Sequence, residues 1–223
     1  INSRPCPFRH GAPPSGASAP RTGAWIDGDR LHCRLENTVL DFNTSRTPLI
    51  GAHNRENLAA ATMAALSAGA NAMGIQATID RFEGMAHRME LAGEVEGVRY
   101  INDSKATNVA AVLRALAAFD APIVLLMGGL DKGDQFERIA PVAAGKVKQL
   151  IAMGAAADTI AEALRDTLPA TTAADMSAAL RLAGQHARPG DVVLLSPGCA
   201  SFDQYDNYAQ RGDDFKRQVG RLK

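Results

Sequence analysis

Residues 100–108 are the stretch of this chain best equipped for chemistry, because a carboxylate, hydroxyls, amides and a lysine follow one another within a single turn. The apolar residues 98–101 end in this cluster and an alanine-rich pattern over 109–119 follows it, which predicts a strand that runs into a helix. A helix N-terminus offers free N–H groups and a positive dipole end, and Lys105 adds a full charge there. The stretch fits an anion-binding site, and it fits an ordinary capped helix equally well.

A second candidate segment begins where the strongly apolar residues 122–127 end. Gly128 and Gly129 come directly after this predicted strand, and glycine lets the backbone approach a ligand closely. Lys132 then supplies a cation. A simple turn is the alternative explanation for the glycine pair.

Residues 196–208 form the third candidate segment, and they also follow an apolar run. Small residues at its start leave room for a ligand, and Ser201 can hydrogen-bond to a carboxylate or a phosphate. Asp203, Asp206 and Arg211 fit a local ion-pair network as their alternative role.

Two amide side chains open a predicted helix earlier in the chain. Asn54 and Asn57 are three residues apart, so they share one face of its first turn. Two amides on one face can recognise both a donor and an acceptor on a flat heterocycle or a sugar. Helix capping is the alternative, since asparagine is a common capping residue.

Strands and helices alternate from Gly97 onwards, which is typical of an α/β domain with a doubly wound, mostly parallel sheet covered on both faces. Predicted strands cover residues 98–101, 122–127, 147–153, 169–173 and 191–196, and predicted helices cover residues 108–119, 136–144, 158–167, 176–186 and 208–221. Sites in such domains lie at the carboxyl ends of strands, which is where all three candidate segments fall.

The residues before Gly97 divide into two parts. Residues 1–24 are rich in proline and glycine and predict irregular coil. Residues 25–96 begin with two alternating runs around Gly28, typical of a β-hairpin, and continue into helical patterns. We therefore expect domains at 25–96 and 97–223, with a hinge at residues 93–97.

Bulk composition excludes several classes of protein. The 223 residues carry 24 Lys and Arg and 24 Asp and Glu, so the zero net charge argues against a nucleic-acid-binding surface. Three cysteines do not make a disulfide framework and fit a reducing compartment. No apolar run reaches membrane-spanning length, and the start lacks a signal-peptide pattern. The chain begins with Ile1, and we expect it to be a piece of a longer protein.

Taken together, the motifs resemble the Mur ligases of peptidoglycan synthesis over roughly residue 25 to the end. The matching motifs are Gly51-x-His53-Asn54-x-x-Asn57-x-x-Ala60-Ala61, His87-Arg88-Met89-Glu90, residues 102–108, Gly128-Gly129-x-Asp131-Lys132, and residues 195–204 with their continuation at 211–215. The last three point to the D-glutamate-adding branch of the family. The resemblance implies the end of a central ATPase domain followed by a Rossmann-like C-terminal domain.

The resemblance also implies roles for individual residues. Nucleotide contacts would be Asn54, Asn57, His87, Arg88, Asp103 and Lys105, with Asn54 and His87 near adenine, Asp103 on the ribose hydroxyls and Lys105 near phosphate. Contacts to D-glutamate would be Thr107, Lys132, Ser201 and Tyr208. Lys105 and Lys132 would be the catalytic cations.

The implied reaction joins D-glutamate to UDP-N-acetylmuramoyl-L-alanine. ATP phosphorylates the alanine carboxylate, and the amine of D-glutamate attacks the acyl phosphate. The implied cofactors are ATP and Mg²⁺, the partners are these small molecules, and neither nucleic acid nor membrane is a partner. A cytoplasmic monomer is expected.

The sequence lacks a phosphate loop of the form Gly-x-x-x-x-Gly-Lys-Ser/Thr; Gly145-Lys146 is followed by Val147. We therefore expect the phosphate loop and magnesium ligands upstream of this chain, and no turnover by the chain alone. The alternatives are another Mur ligase, a folylpolyglutamate synthase-like ligase, or a non-catalytic nucleotide- or metabolite-binding module.

Overall fold

The computed structural model describes residues 8–10 and 22–222, which belong to two compact units. The first unit ends at Gly84 and the second begins at Met85. Within the described residues, no helix is both long and apolar enough to cross a membrane.

A four-stranded sheet and two helices make up the first unit. Its strands are β1 (Phe8–His10), β2 (Thr22–Asp27), β3 (Arg30–Leu35) and β4 (Thr38–Asn43), in that order across the sheet, and its helices are α1 (Ala52–Ser67) and α2 (Ala72–Arg81). β2 and β3 form the predicted antiparallel hairpin, with Gly28 at positive φ in its turn. Leu31 and Phe42 on the sheet pack with Met63 of α1 and Ile79 of α2 in one apolar core.

The prediction of irregular coil for residues 1–24 is wrong at two places. Phe8–His10 form β1, which pairs in parallel with β2, and β2 itself begins at Thr22. A three-residue strand depends on the backbone groups of its neighbour, which local composition does not report. The rest of that prediction, residues 1–7 and 11–21, lies outside the described residues.

The second unit is built on a six-stranded sheet. Its strands are β5 (Glu90–Val95), β6 (Val98–Asn102), β7 (Ile123–Gly128), β8 (Val147–Met153), β9 (Ala170–Ala173) and β10 (Val192–Leu195). Its helices are α3 (Val109–Leu116), α4 (Ala140–Ala143), α5 (Ala157–Leu164), α6 (Met176–His186) and α7 (Tyr208–Val219), and a 3-10 turn at Phe136–Ile139 leads into α4. The strand order is β5-β6-β10-β7-β8-β9, and every pair except the antiparallel β5–β6 is parallel.

Both faces of this sheet are buried, as the sequence predicts. Val124 and Leu126 of β7 belong to a core that also contains Met176 of α6 and Phe215 of α7. Leu125 points to the opposite face because side chains alternate along a strand, and it is also fully buried. The mostly parallel α/β fold is therefore confirmed.

The strand order places the three candidate segments side by side. The chain passes from β6 to β7, continues outward to β8 and β9, and returns to insert β10 between β6 and β7. Because these three strands are parallel, their carboxyl ends lie at one edge of the sheet. A ligand crevice in an open α/β sheet forms at such a point of changing strand order.

The predicted domain boundary at residue 97 is wrong by about one strand. β5 pairs along its length with β6, and Ala92 and Val95 pack against the core of the second unit. Glu96 and Gly97 both have positive φ, as a tight hairpin turn requires. Residues 93–97 are therefore part of a hairpin inside the second unit, and not a connection between units.

Steric crowding at the end of β7 yields a stability prediction. A Cβ on Gly128 would lie 1.9 Å from the carbonyl oxygen of Met153, and φ is +123°. Gly145 also has positive φ, but a Cβ there meets nothing within 4 Å. Gly145→Ala should cost about 1 kcal/mol for its backbone conformation alone. Gly128→Ala should cost roughly 3 kcal/mol or prevent folding, since a hard clash adds to the same strain. Urea unfolding of both variants tests this, and equal losses would contradict it.

Candidate functional site

Three loops follow the carboxyl ends of the central strands, and we name them by strand: the β6 loop (103–108), the β7 loop (129–135) and the β10 loop (196–207). Backbone hydrogen bonds tie the β10 strand and loop to the β6 loop. The Asp103 amide donates to the Leu195 carbonyl at 2.8 Å, and the Gly198 amide donates to the Ala106 carbonyl at 2.9 Å.

The β7 loop is tied to the same structure. Leu130 and Ala200 exchange backbone hydrogen bonds of 2.8 and 3.1 Å, as in an antiparallel pair. The three candidate segments therefore form one connected backbone surface, as their positions after neighbouring strands predicted.

A single buried guanidinium joins the β6 loop, the β10 loop and the last residue of β7. Arg211, in the first turn of α7, is 1% exposed. Its acceptors are the Ser104 hydroxyl at 3.0 Å and the carbonyls of Ser104, Cys199, Gly128 and Ala200 at 2.9, 3.1, 3.2 and 3.4 Å. Burial lowers the pKa of Arg211 to about 10, so the group stays charged at neutral pH.

The ion-pair network predicted for Asp203, Asp206 and Arg211 does not form. Asp203 accepts a hydrogen bond from the Ala155 amide at 2.9 Å and so connects the β10 loop to the end of β8. Asp206 interacts with Gln210, four residues along the chain. Arg211 turns to backbone carbonyls instead because α7 points it into the sheet edge, where its neighbours are strand ends.

The glycine pair at the end of β7 has a packing role. A Cβ on Gly128 would clash with the Met153 carbonyl, and a Cβ on Gly129 would lie 2.1 Å from the Ala200 carbonyl. Protein backbone therefore occupies the space that we predicted for a ligand, and the alternative of a tight turn describes these two residues better.

Asp103 is a buried carboxyl at the start of the β6 loop, 6% exposed. One oxygen accepts from the Met89 amide and the other from the Ser196 hydroxyl, both at 3.2 Å. Desolvation raises the pKa of Asp103 to about 7, although these hydrogen bonds and the charge of Arg88 act in the opposite direction. The group is therefore divided between neutral and ionised forms near neutral pH.

His87, Lys105 and Tyr208 come together beside Asp103. The Lys105 ammonium lies 5.3 Å from the centre of the Tyr208 ring, and the His87 ring meets the same ring edge-on at 6.0 Å. The Lys105 amide also donates to the His87 carbonyl at 3.0 Å. A cation and an imidazole thus both lie next to the phenol ring of Tyr208.

Arg88, another predicted site residue of the second unit, is half-buried next to His87, just before β5, and three further ones lie on the three loops. Thr107 is half-buried on the β6 loop, Lys132 is exposed on the β7 loop, and Ser201 is buried on the β10 loop. The connected loops bring these residues to one edge of the sheet. Their individual ligand contacts stay predictions.

The two amides of the first unit differ in their surroundings. Asn54 is buried, and its side-chain amide donates to the Ile50 carbonyl at 2.8 Å, just before α1 begins. Asn57 is exposed one turn later. Asn54 thus has a local structural role at the helix start, and the nucleotide role of both residues stays a prediction.

Sequence reasoning missed Arg211, Asn102 and Glu90 as organising residues. One signal was present: Arg211 is four residues before Phe215 and eight before Val219, which places it on the buried face of α7. A charged residue at such a position needs many hydrogen bonds, and this requirement points to a structural role.

The described residues contain no group of three or more His, Cys, Asp or Glu side chains placed to hold a metal ion. We assign no magnesium ligand among these residues and no step to a magnesium ion.

Comparison with known proteins gives consistent results. The family profile described as "Mur ligase, glutamate ligase domain" matches residues 87–199. The UDP-N-acetylmuramoylalanine–D-glutamate ligase of Desulfatibacillum aliphaticivorans is 51% identical over 181 residues, which are 81% of this chain and 40% of that protein. The chain spans less than half the length of this relative, and about half or less of the length of two others, from Desulfosudis oleivorans (39%) and Symbiobacterium thermophilum (48%).

Solved structures share the fold at low sequence identity. A pseudomurein peptide ligase type C from Methanothermus fervidus matches 92% of this chain and 42% of its own with a TM-score of 0.67 at 16% identity. Escherichia coli FolC, in complex with DHPP and ADP, matches 91% of this chain and 47% of its own with a TM-score of 0.66 at 15% identity.

Replacement of the buried guanidinium tests its role in joining the loops. Arg211→Lys keeps the charge but cannot reach carbonyls of the β6 loop, the β10 loop and the end of β7 at once, so buried acceptors lose their donors. We expect a loss on the order of 3 kcal/mol in the free energy of unfolding. Arg217→Lys, at an exposed position paired with Asp214, should change it by less than about 0.5 kcal/mol. Urea unfolding measures both, and similar values for the two variants would refute the assignment.

The raised pKa of Asp103 predicts a pH dependence. An unfolded aspartate titrates near pH 4, so the native state binds the extra proton between about pH 4 and pH 7. Stability from this group is therefore present at low pH and falls as pH rises to 7, with an upper limit of about 4 kcal/mol. Titration of the Asp103 carboxyl carbon by NMR should give a midpoint near 7. Asp103→Asn should reduce the loss of stability between pH 5 and pH 8. A midpoint near 4 would show that burial does not control this group.

Proposed function

This chain belongs to the Mur ligase family, and from that premise we propose that it is part of an ATP-dependent ligase that adds D-glutamate in peptidoglycan synthesis. The observation that carries the proposal is the connected edge formed by the β6, β7 and β10 loops. It gathers the predicted amino-acid contacts and the predicted nucleoside contacts of the second unit along neighbouring strands.

The proposed reaction forms an amide in two steps. The γ-phosphoryl group of ATP moves to the carboxylate of UDP-N-acetylmuramoyl-L-alanine, which gives an acyl phosphate and ADP. The amine of D-glutamate then attacks the acyl carbon, the C–N bond forms, the bond to phosphate breaks, and the amine loses a proton. Alignment of amine and acyl carbon contributes much of the rate in such a transfer.

D-glutamate needs a site for two carboxylates. Lys132 and the hydroxyls of Thr107 and Ser201 supply one cation and two hydrogen-bond donors on three connected loops. Charge-assisted hydrogen bonds of this kind are the stronger ones, and they fix the orientation of a dicarboxylate. Tyr208 stays a proposed contact of D-glutamate, and its ring lies next to Lys105, one of the proposed nucleotide contacts.

The nucleoside is assigned to the neighbouring part of the β6 loop. Asp103 accepts one hydrogen bond on each oxygen and retains acceptor capacity for ribose hydroxyls. His87 is proposed to contact adenine, and Arg88 and Lys105 add positive charge for phosphate. Asn54 and Asn57 stay proposed nucleotide contacts of the first unit.

D-glutamate is preferred over other amino acids on two grounds. The relatives with 41% to 51% identity carry the name of the D-glutamate-adding enzyme. The pattern at residues 195–204 and 211–215 is the one that distinguishes this branch in the sequence. Another Mur ligase or a folylpolyglutamate synthase-like enzyme is the alternative, and the FolC match supports it at the level of fold alone.

Turnover by this chain alone is not expected. Its sequence contains no phosphate loop, and the described residues contain no group of three or more His, Cys, Asp or Glu side chains placed to hold a metal ion. We therefore propose that the chain binds D-glutamate and nucleoside, and that phosphoryl transfer needs groups beyond those found here. A phosphate-release assay with all three substrates tests this, and steady activity from the chain alone would contradict it.

Binding of D-glutamate provides the most direct test of the proposed function. Addition of D-glutamate to the isotope-labelled chain should shift the amide signals of Thr107, Lys132 and Ser201, and L-glutamate at equal concentration should not. Lys132→Ala should weaken binding about tenfold, since it removes one charge-assisted contact. Arg165→Ala removes an exposed cation just after α5, at the opposite edge of the sheet, and should leave binding unchanged.

The same spectra would also show if D-glutamate is not the substrate of this site. Equal responses to both enantiomers, or a response confined to residues away from the three loops, would reject D-glutamate as the substrate of this site.

A further inference from the structure

Four polar side chains surround the His87 ring: Asn102, Glu90, Lys216 and Asp213. We propose that Asn102 holds the imidazole of His87 in the tautomer with its proton on Nε2, and so presents a hydrogen-bond donor to the nucleotide. Asn102 and Glu90 are then positioning residues. The choice of ligand rests on the proposed function, whereas the tautomer itself follows from contacts within the protein.

The orientation of the Asn102 amide is determined by two neighbours. Its oxygen accepts from the Ser104 amide at 3.1 Å, and its nitrogen donates to a Glu90 carboxylate oxygen at 3.0 Å. In the reverse orientation, the Asn102 NH₂ group would face the N–H of Ser104, and the Asn102 oxygen would face the Glu90 carboxylate. Both contacts would be repulsive, so the nitrogen side of the amide faces Glu90 and the His87 ring.

This orientation decides which ring nitrogen carries the proton. The Asn102 amide nitrogen lies 3.1 Å from Nδ1 of His87. An amide nitrogen can only donate, so Nδ1 must be the acceptor and must lack a proton. One of the two amide hydrogens goes to Glu90, and the other goes to Nδ1, because the third acceptor in reach, the Gly212 carbonyl, lies farther from the amide nitrogen at 3.4 Å. The proton of the neutral ring therefore lies on Nε2.

Nε2 has no acceptor of its own among the described residues. Its nearest carboxylate oxygen, on Asp213, is 3.9 Å away, which is beyond hydrogen-bonding distance. The donor is therefore available to a ligand. A group that receives it must offer a lone pair, as the ring nitrogens of a purine do and as an amino group does not.

The ring has little freedom to leave this arrangement. The His87 amide donates to Glu90 at 2.8 Å, and φ of His87 is 63°, in the left-handed region. A Cβ on Gly212 would lie 2.3 Å from Nδ1, so α7 closes one side of the ring. Lys216 bonds to Glu90 at 3.1 Å and to Asp213 at 3.2 Å, which anchors both carboxylates.

NMR of the ring nitrogens tests the tautomer without any ligand. Two-bond ¹H–¹⁵N correlations separate a protonated ring nitrogen from an unprotonated one. The unmodified chain should show His87 protonated on Nε2. In Asn102→Asp an acceptor oxygen replaces the donor, and the proton should move to Nδ1. Asn71→Asp makes the same change at the N-cap of α2, where aspartate caps equally well, and should leave His87 unchanged.

Asn102→Asp also brings a second carboxylate next to Glu90, which endangers folding. The double variant Asn102→Asp, Glu90→Gln removes that repulsion and should shift the proton in the same way. His87 protonated on Nδ1 in the unmodified chain, or on Nε2 in either Asn102→Asp variant, would overturn the tautomer assignment.

Titration with ADP then tests the positioning role. The variant with the shifted proton should bind ADP about tenfold more weakly than Asn71→Asp, since a donor to the ligand is lost. A shifted proton with unchanged affinity would overturn the positioning role. No binding of ADP by the unmodified chain would count against the proposed nucleotide site alone, because the tautomer is measured in the free protein.

Discussion

The buried guanidinium of Arg211 is the interaction on which the candidate site depends. It takes a charge out of water, which is costly, and offsets that cost with hydrogen bonds to a hydroxyl and four carbonyls. Those acceptors belong to chain segments around Ser104, Gly128 and Cys199, far apart in sequence. A planar group with five donors can bridge such segments where a lysine cannot. The loops are therefore held together before any ligand arrives.

The ends of β6, β7 and β10 lie close together, and this explains why several positions near them have no room for a side chain. Gly128 and Gly129 leave room for carbonyls of β8 and the β10 loop, and Gly212 leaves room for the His87 ring. Asn102 satisfies Ser104 on one side and Glu90 on the other. Polar groups that support the loops are thus paired with one another, whereas Lys132 is exposed and Lys105 is half-buried with its ammonium 5.3 Å from the centre of the Tyr208 ring. On the proposed function, such a preformed arrangement binds its ligands with little reorganisation.

Local pattern predicted most elements of the second unit because buried parallel strands are short continuous apolar runs. β8 and α6 have the predicted bounds, Val147–Met153 and Met176–His186. The position of β10 between β6 and β7 depends on contacts distant in sequence. β5 was missed as part of this unit because residues 90–95 lack a strong alternating pattern. For Arg211, the nearby aspartates suggested ion pairs. Only the position of α7 shows that its guanidinium donates to backbone carbonyls instead.

The protonation of the buried Asp103 carboxyl depends on the hydrogen bonds that it accepts at this sheet edge. Burial favours its neutral form, and the ionised form is favoured by each hydrogen bond that it accepts. Its two donors in the protein, Met89 and Ser196, leave the balance close to neutral pH. On the proposed function, ribose hydroxyls would add donors to the same carboxylate and favour ionisation further. Nucleoside binding and proton release at Asp103 are then linked by the same free energy, because the ligand prefers the ionised form.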